Sequence, residues 1–109
     1  MNVNELISAL DLEALNLCDG DKIIKDGYTC DLLSWVIGRA LPDSAFITIM
    51  TNINVVAVAV LAEAACVIIC ENAELGEDFL SRASAQGVNV LRSNKNAFEI
   101  SHEIYKLIK

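Results

Sequence analysis

The sequence is poor in the residues that catalytic sites most often use. Its 109 residues include one histidine and five glycines. The glycines are scattered, so neither GxxxxGK(S/T) nor GxGxxG occurs, and no phosphate-binding loop of either kind is encoded. The nucleophile motif GxSxG is missing too. A Ser-His-Asp triad would need His102, which the helical pattern of its segment places on a polar outer face. We therefore predict that the chain is not an enzyme and has no catalytic residues.

The four cysteines lack the spacing of a metal site. There is no CxxC pair, so zinc and other metals are not expected. Cys66 and Cys70 lie four residues apart in an apolar run, Cys30 ends a predicted strand, and Cys18 lies in a predicted loop. We expect reduced, mostly buried thiols. A redox or metal role for Cys66 and Cys70 is the competing hypothesis.

Positive charge is scarce as well. The chain has 8 Lys and Arg against 15 Asp and Glu, a net charge of −7, and no basic run offers a surface to DNA or RNA. The N-terminus has neither the basic start nor the long apolar segment of a signal peptide. The longest uncharged apolar run, residues 55–62, is far shorter than the ~20 residues that span a bilayer. We expect a cytoplasmic protein that has no cofactor and binds neither nucleic acid nor membrane.

The sequence does contain an apolar centre, residues 45–72. Within it, residues 46–50 and 66–70 are apolar runs of strand length, which suit strands buried on both faces of a parallel sheet. The intervening residues 53–64 are rich in alanine, which favours a helix, and in valine, which favours a strand. We predict a helix, capped by Thr51 or Asn52. Because this helix is almost wholly apolar, we expect it to be covered on most sides. The unit is then a right-handed βαβ crossover.

The rest of the chain adds helices and strands around this unit. We predict helices over residues 4–10, 32–40, 77–86 and 97–108, and short strands over residues 12–17, 28–30 and 88–91. Asp31 and Asn96 are expected to cap the second and the last helix, and Gly87 to end the helix before the last. The apolar pattern turns these side chains inward: Leu32, Leu33, Val36, Ile37, Phe98, Ile100, Ile104, Leu107 and Ile108. At this length we expect one domain, residues 1–109.

The predicted strands end in small hydrogen-bonding residues. In open α/β sheets, ligands bind beyond the carboxyl ends of the strands. The ligand-binding candidates are therefore Asp31, Ser34, Thr48, Thr51, Asn52, Asn72, Ser93 and Asn94. Each of them, taken alone, is better explained as a cap or turn residue.

One aromatic residue stands apart from the predicted core. Trp35 falls beside the buried stripe of its helix, so we expect it to be partly exposed. Because Trp is enriched at interface hot spots, Trp35 and Tyr28 are candidates for contact with a partner subunit. The alternative is that Trp35 packs under a loop.

Two stretches resemble the DRTGG domain family. Residues 21–34, DKIIKDGYTCDLLS, are similar to the pattern D-R-x-(I/V)-x-G-G-Y-x-x-D-(L/M)-L-S, and residues 47–61, ITIMTNINVVAVAVL, are similar to ITxQTHxNIVAVAxL. The sequence departs from these patterns at Lys22 (family Arg), Lys25 (often Thr), Asp26 (the first Gly) and Asn52 (commonly His). Asp26 adds a negative charge beside Gly27, which argues against anion binding there.

The resemblance implies a three-layer α/β/α sandwich with a mostly parallel sheet of about five short strands, like the N-terminal domains of HPr kinase/phosphorylase and of muramyl peptide ligases. It also implies a regulatory or structural module, found beside CBS domains in pyrophosphatases and in phosphotransacetylases, that often self-associates. We accordingly expect a homodimer that binds a partner protein or a small polar ligand, such as a nucleotide. The alternative is a participant in phosphotransfer related to HPr serine kinase, through Thr51, Ser34 or Asp31, although the chain lacks the kinase half.

Overall fold

The structure, a computed structural model, describes residues 1–109 and is built around one sheet. Its strands are Glu13–Asn16 (β1), Asp26–Thr29 (β2), Ser44–Thr48 (β3), Cys66–Ile69 (β4) and Val90–Arg92 (β5). They lie side by side in the order β1-β5-β4-β3-β2. Neighbours from β2 to β5 are parallel, and β1 runs antiparallel to β5. The prediction of a mostly parallel, five-stranded sheet is confirmed.

Helices cover both faces of this sheet. They are Val3–Leu10 (α1), Leu33–Arg39 (α2), Asn54–Leu61 (α3), Glu77–Gln86 (α4) and Ala97–Ile108 (α5). One apolar cluster joins one face of the sheet to α2, α3 and α4, and includes Val36, Phe46, Val56, Val67 and Phe79. A second cluster joins the opposite face to α1 and α5, and includes Leu6, Ile47, Ile68, Leu91 and Ile100. The two clusters confirm the three-layer α/β/α sandwich.

The central strand–helix–strand unit forms as predicted. Every residue of β3 and β4 is buried, and α3 is a helix despite its valines. Strand β3 begins at Ser44, two residues earlier than expected. It ends at Thr48 because the next backbone N–H, that of Ile49, donates to the side chain of Asp31 over 3.1 Å. That N–H is therefore not available to bond with a neighbouring strand. Strand boundaries therefore depend on a side chain from outside the strand.

The expectation that α3 is covered on most sides was wrong. Its outer side exposes Ala57, Val60 and Leu61, the last of which is 66% exposed. The inward stripe predicted for α2 was wrong in part, because only Val36 is fully buried and Ile37 is half exposed. The order of the helices on this face of the sheet explains the exposure of α2. Helix α3 packs between α2 and α4, so α2 has a neighbouring helix on one side only.

The two last helices largely follow the sequence. Gly87 ends α4 with a positive φ of 71°, and the side chain of Asn96 accepts a hydrogen bond from the N–H of Glu99 at the start of α5. Two side chains expected to face inward do not, since Phe98 is 84% exposed and Leu107 is 41% exposed. Phe98 lies two residues before the buried Ile100, which places it about 200° around the helix and so on the opposite side.

Trp35 is half exposed on α2, which confirms that it does not belong to the core. Its ring faces the guanidinium of Arg39, whose carbon lies 4.0 Å from the ring centroid. Tyr28, in β2, is half buried and packs against the cluster beneath α2. None of the five helices is long and apolar enough to cross a membrane.

Candidate functional site

The segments that follow the parallel strands all emerge at one edge of the sheet. Strands β2 to β5 run in the same direction, so their carboxyl ends share that edge. Strand β1 is antiparallel to β5, so the residues before it reach the same edge. This carboxyl edge therefore collects polar groups from five segments that are far apart in the chain.

Asp31 and Thr48 meet at one end of this edge, where β2 and β3 finish. The hydroxyl of Thr48 donates to Oδ1 of Asp31 over 2.6 Å, and the same hydroxyl accepts from the N–H of Met50 over 3.2 Å. Thr48 is buried, with 1% of its surface exposed. The predicted role of Asp31 as a helix cap was wrong, because α2 has Leu32 at the capping position and no side chain bonds there. The carboxylate instead ties the end of β2 to the end of β3.

The remaining candidates near β3 and α2 are exposed. Ser34 lies in the first turn of α2, and Thr51 lies in the loop before α3. The predicted cap at Thr51 or Asn52 was wrong, because Ile53 holds the capping position of α3 and no side chain caps it. Asn52 accepts a hydrogen bond from the N–H of Asn54 over 2.8 Å. The structure thus gives Asn52 a local backbone role and leaves Ser34 and Thr51 facing solvent.

A tight turn closes the end of β4. Glu71 and Asn72 have positive φ angles of 56° and 53°, and the N–H of Ala73 donates back to the carbonyl of Cys70 over 3.2 Å. The N–H groups of Glu71 and Asn72 donate to the carbonyls of Lys95 and Ser93 over 2.9 and 2.8 Å. The turn is therefore fastened to the loop after β5, and two non-glycine residues are held in a conformation that most side chains avoid.

A polar cleft of about 410 Å³ opens beside this turn. Two of the predicted ligand residues, Asn72 and Asn94, line it, and both are exposed. The third predicted residue of this region, Ser93, is buried, and its hydroxyl accepts from the N–H of Lys95 over 3.1 Å. The cleft also has lining residues that sequence reasoning missed: Leu10, Asp11, Glu13, Arg92 and Lys95.

The cations of the cleft are held by carboxylates. Arg92 donates through Nε and Nη2 to Oε1 of Glu13 over 3.0 and 2.8 Å, and through Nη1 to the carbonyl of Ala73 over 3.2 Å. The ammonium of Lys95 pairs with Glu103 of α5. The hydrogen bond from Lys95 holds the pKa of Glu103 below its usual value, against the opposing effect of burial. The cleft therefore presents amides, two paired cations and the exposed carboxylate of Asp11, which joins no ion pair.

Cys66, the first residue of β4, and Cys70, which follows β4, are not activated nucleophiles. Burial raises the pKa of the Cys66 thiol to about 12, with a small opposing effect of Lys22. Burial, and then the negative charges of Asp31 and Glu71, raise the pKa of Cys70 to about 11. A thiol is reactive as its thiolate, so both groups are inert at neutral pH. The expectation of mostly buried thiols holds for these two, whereas Cys30 is half buried and Cys18 is exposed.

The structure forms no cluster of metal-binding side chains, and its histidine lies away from the predicted site residues. His102 is exposed on α5, and it lines a shallow groove with Thr29 and Ser101 rather than bonding to Ser34 or Thr51. No group of three or more His, Cys, Asp or Glu side chains lies close enough to hold a metal ion.

Residues 21–25, the first part of the 21–34 stretch that resembles the family pattern, precede β2 and so lie at the opposite, amino edge of the sheet. Lys22 lines a small cleft there with Asp43 and Glu63, and its ammonium lies 3.5 Å from the carbonyl of Ala64. Asp26 is the first residue of β2, where its carboxylate pairs with Lys109 over 3.1 Å. The charge that Asp26 adds is thus balanced within the chain.

Asn89 organises that edge and was missed by sequence reasoning. Its side-chain oxygen accepts from the N–H groups of Cys18 and Asp19 over 2.8 and 2.9 Å. Its amide donates to the carbonyls of Asp19 and Ala65 over 2.8 and 3.0 Å. The sequence contained one signal of this role, a single asparagine within the apolar run at residues 88–91. A polar side chain buried in such a run must form hydrogen bonds.

Comparison with known proteins agrees with this fold. A model of the DRTGG domain matches residues 34–107, more than half of the chain. No curated protein sequence matches. Among solved structures, the fold is similar to the CBS and DRTGG domains of the regulatory region of Clostridium perfringens pyrophosphatase, complexed with the activator diadenosine tetraphosphate. The TM-score is 0.73 at 11% identity, and the match covers 93% of this chain and 44% of that one. At this identity the similarity shows the fold alone, and the chain spans less than half of its neighbour.

Proposed function

This chain belongs to the DRTGG domain family, and from that membership we propose that it is a non-catalytic regulatory module that binds a small polar ligand and self-associates. The observation that carries the proposal is the cleft of about 410 Å³ at the carboxyl edge. Its volume lies within the range of small-molecule sites, ~300–1,000 Å³. Its hydrogen-bonding groups come from rigid strand ends and turns, which suits binding without chemical conversion.

The ligand class that we propose is a nucleotide. The side-chain amides of Asn72 and Asn94 each offer donors and an acceptor, which can pair with a base or a sugar. Arg92 and Lys95 can approach a phosphate only by exchanging their carboxylate partners, Glu13 and Glu103. Binding is therefore expected to be weak and to weaken further with salt. The activator in the neighbouring regulatory region, diadenosine tetraphosphate, supports testing nucleotides first.

A thermal-shift series tests the ligand proposal. A ligand at a hundredfold excess over Kd adds about 2.7 kcal/mol to the free energy of unfolding, which raises Tm by roughly 10–20 °C in a chain of this size. Adenosine mono-, di- and triphosphates and diadenosine tetraphosphate are the probes. We expect Asn94→Ala to remove the shift, and Ser81→Ala, at an exposed position of α4, to retain it. A shift that is equal in both variants would place the ligand elsewhere, and no shift with any nucleotide would refute the nucleotide proposal.

Self-association is the second part of the proposal. Trp35 is half exposed and stacked with Arg39, and these two residue types are enriched at interface hot spots. The four free cysteines support a reducing compartment such as the cytoplasm as the setting.

A further inference from the structure

Three carboxylates lie at the cleft of the carboxyl edge, and one of them has no cation beside it. Glu13 is bound by Arg92, and Glu103 is bound by Lys95. Asp11 lines the same cleft, is exposed and joins no ion pair. An ionised carboxylate can only accept hydrogen bonds. A ligand group that contacts Asp11 must therefore be a hydrogen-bond donor.

The backbone at Asp11 is held by hydrogen bonds. The N–H groups of Asp11 and Leu12 both donate to the carbonyl of Ile7, in the last turn of α1, and Leu12 is buried. Asp11 has a positive φ of 51°, a conformation in which aspartate and asparagine are enriched over most other residues. The carboxylate is thus presented to the cleft from a fixed backbone, which suits a residue that selects among ligands.

The cleft has no surplus of positive charge for a chain of phosphates. Its lining side chains carry two positive charges, on Arg92 and Lys95, and two negative charges, on Asp11 and Glu13. A phosphate that takes one of these cations leaves Glu13 or Glu103 without its partner, so a carboxylate is set free nearby. A monophosphate already carries a charge of about −1.5 to −2. Each further phosphate would lie close to the freed carboxylates and to Asp11, which would repel it.

We infer that the cleft selects ribonucleoside monophosphates over nucleoside di- and triphosphates, and that Asp11 makes this selection. The carboxylate of Asp11 accepts from the ribose hydroxyls, whose adjacent O–H donors match its two oxygens. Aspartate and glutamate bind the ribose hydroxyl in this way in dinucleotide-binding folds. The phosphate binds Arg92 and Lys95, and the amides of Asn72 and Asn94 are left for the base. The inference rests on the nucleotide ligand proposed above and specifies which nucleotide it is.

Asp11→Asn removes the charge of this side chain and leaves its backbone conformation available. Asparagine also tolerates a positive φ, so the variant should fold as the wild type does, which circular dichroism checks. The matched control is Asp21→Asn. Asp21 is exposed, joins no ion pair and precedes β2 at the amino edge. Both variants change the net charge of the chain equally, so only Asp11→Asn should alter the selection.

Isothermal titration calorimetry with adenosine monophosphate, its 2′-deoxy analogue and adenosine triphosphate, in buffer with EDTA, is the measurement. For the wild type and Asp21→Asn, we expect the monophosphate to bind at least about tenfold more tightly than the triphosphate. It should bind at least about fivefold more tightly than the 2′-deoxy analogue, which lacks one hydrogen bond to a charged group. In Asp11→Asn, both ratios should fall at least about threefold, because the charge is gone.

The outcomes separate this inference from the proposed function. A triphosphate that binds the wild type as tightly as the monophosphate, or ratios that Asp11→Asn leaves unchanged, would overturn the role of Asp11 and leave the nucleotide site standing. Ratios that fall equally in Asp21→Asn would assign the selection to the net charge of the whole chain, and would overturn that role as well. A wild type that binds none of the three nucleotides would refute the nucleotide proposal itself.

Discussion

The hydroxyl of Thr48 donates a 2.6 Å hydrogen bond to Oδ1 of Asp31, and this bond joins the ends of two parallel strands. The same carboxylate oxygen accepts from the N–H of Ile49 over 3.1 Å, where β3 stops. Thr48 is buried, so water has little access to its hydroxyl. If the carboxylate of Asp31 were removed, the hydroxyl would have no good replacement acceptor. Asp31 thus shapes the carboxyl edge, at which ligands of open α/β sheets bind.

Asp31→Ala should lower the free energy of unfolding by about 2–3 kcal/mol, because a buried hydroxyl and a backbone N–H lose a charged acceptor. Asp31→Asn retains an acceptor oxygen and should cost about 1 kcal/mol or less. Urea unfolding gives the free energy of unfolding of each variant. Comparing Asp31→Ala, Thr48→Val and the variant that carries both changes gives the coupling energy between the two side chains. A coupling energy near zero would show that the two residues contribute independently.

The buried thiols predict a loss of stability at alkaline pH. Burial holds the pKa of Cys70 at about 11 and that of Cys66 at about 12, whereas an unfolded thiol ionises near ~8.5. Between these values the unfolded chain has released protons that the folded chain retains, so the free energy of unfolding falls as pH rises. Below ~8.5 both states are protonated and the effect vanishes. The slope is about 1.4 kcal/mol per pH unit for each thiol.

Unfolding free energies at pH 8, 9 and 10 test this slope, with Cys66→Ala as the comparison. The variant is less stable throughout but should lose stability less steeply with pH. Titration with a thiol reagent at pH 8 should modify the exposed Cys18 at once and leave Cys66 and Cys70 unmodified until the chain unfolds. Equal slopes for the two proteins, or rapid modification of all four thiols, would contradict the assignment of buried, neutral cysteines.

What the sequence predicted well was local. The presence of β3 and β4, although not the ends of β3, the cap at Asn96 and the end of α4 at Gly87 depend on neighbouring residues, so composition and spacing were sufficient. The apolar character of α3 was recognised, but not that one of its sides lacks a covering element. That difference depends on which helices flank it, which periodicity does not record.

What the sequence predicted poorly depends on contacts between distant segments. Arg92 and Glu13 are 79 positions apart, and they meet only because β1 pairs antiparallel with β5. Of the seven residues that line the cleft, only Asn72 and Asn94 were therefore candidates from the sequence. Asp31 was assigned to the helix that follows it because a cap is the local use of an aspartate, whereas its actual partners are Thr48, the last residue of β3, and Ile49, which follows it.

Asn89 offers the sharpest test of a distant contact. Its oxygen accepts from two backbone N–H groups, and its amide donates to the carbonyls of Asp19 and Ala65. Asn89→Asp keeps the acceptor but turns a buried negative charge towards those two carbonyls. We expect a loss of about 3–5 kcal/mol at pH 7. The difference from the wild type should shrink near pH 4, because a protonated carboxyl donates one of the two missing hydrogen bonds.

Asn94→Asp, the same change at an exposed position, should cost less than about 0.5 kcal/mol. Urea unfolding of the three proteins at both pH values is the measurement. Similar losses for the two variants, or a loss for Asn89→Asp that does not depend on pH, would show that the amide of Asn89 does not hold the 18–19 loop against β5.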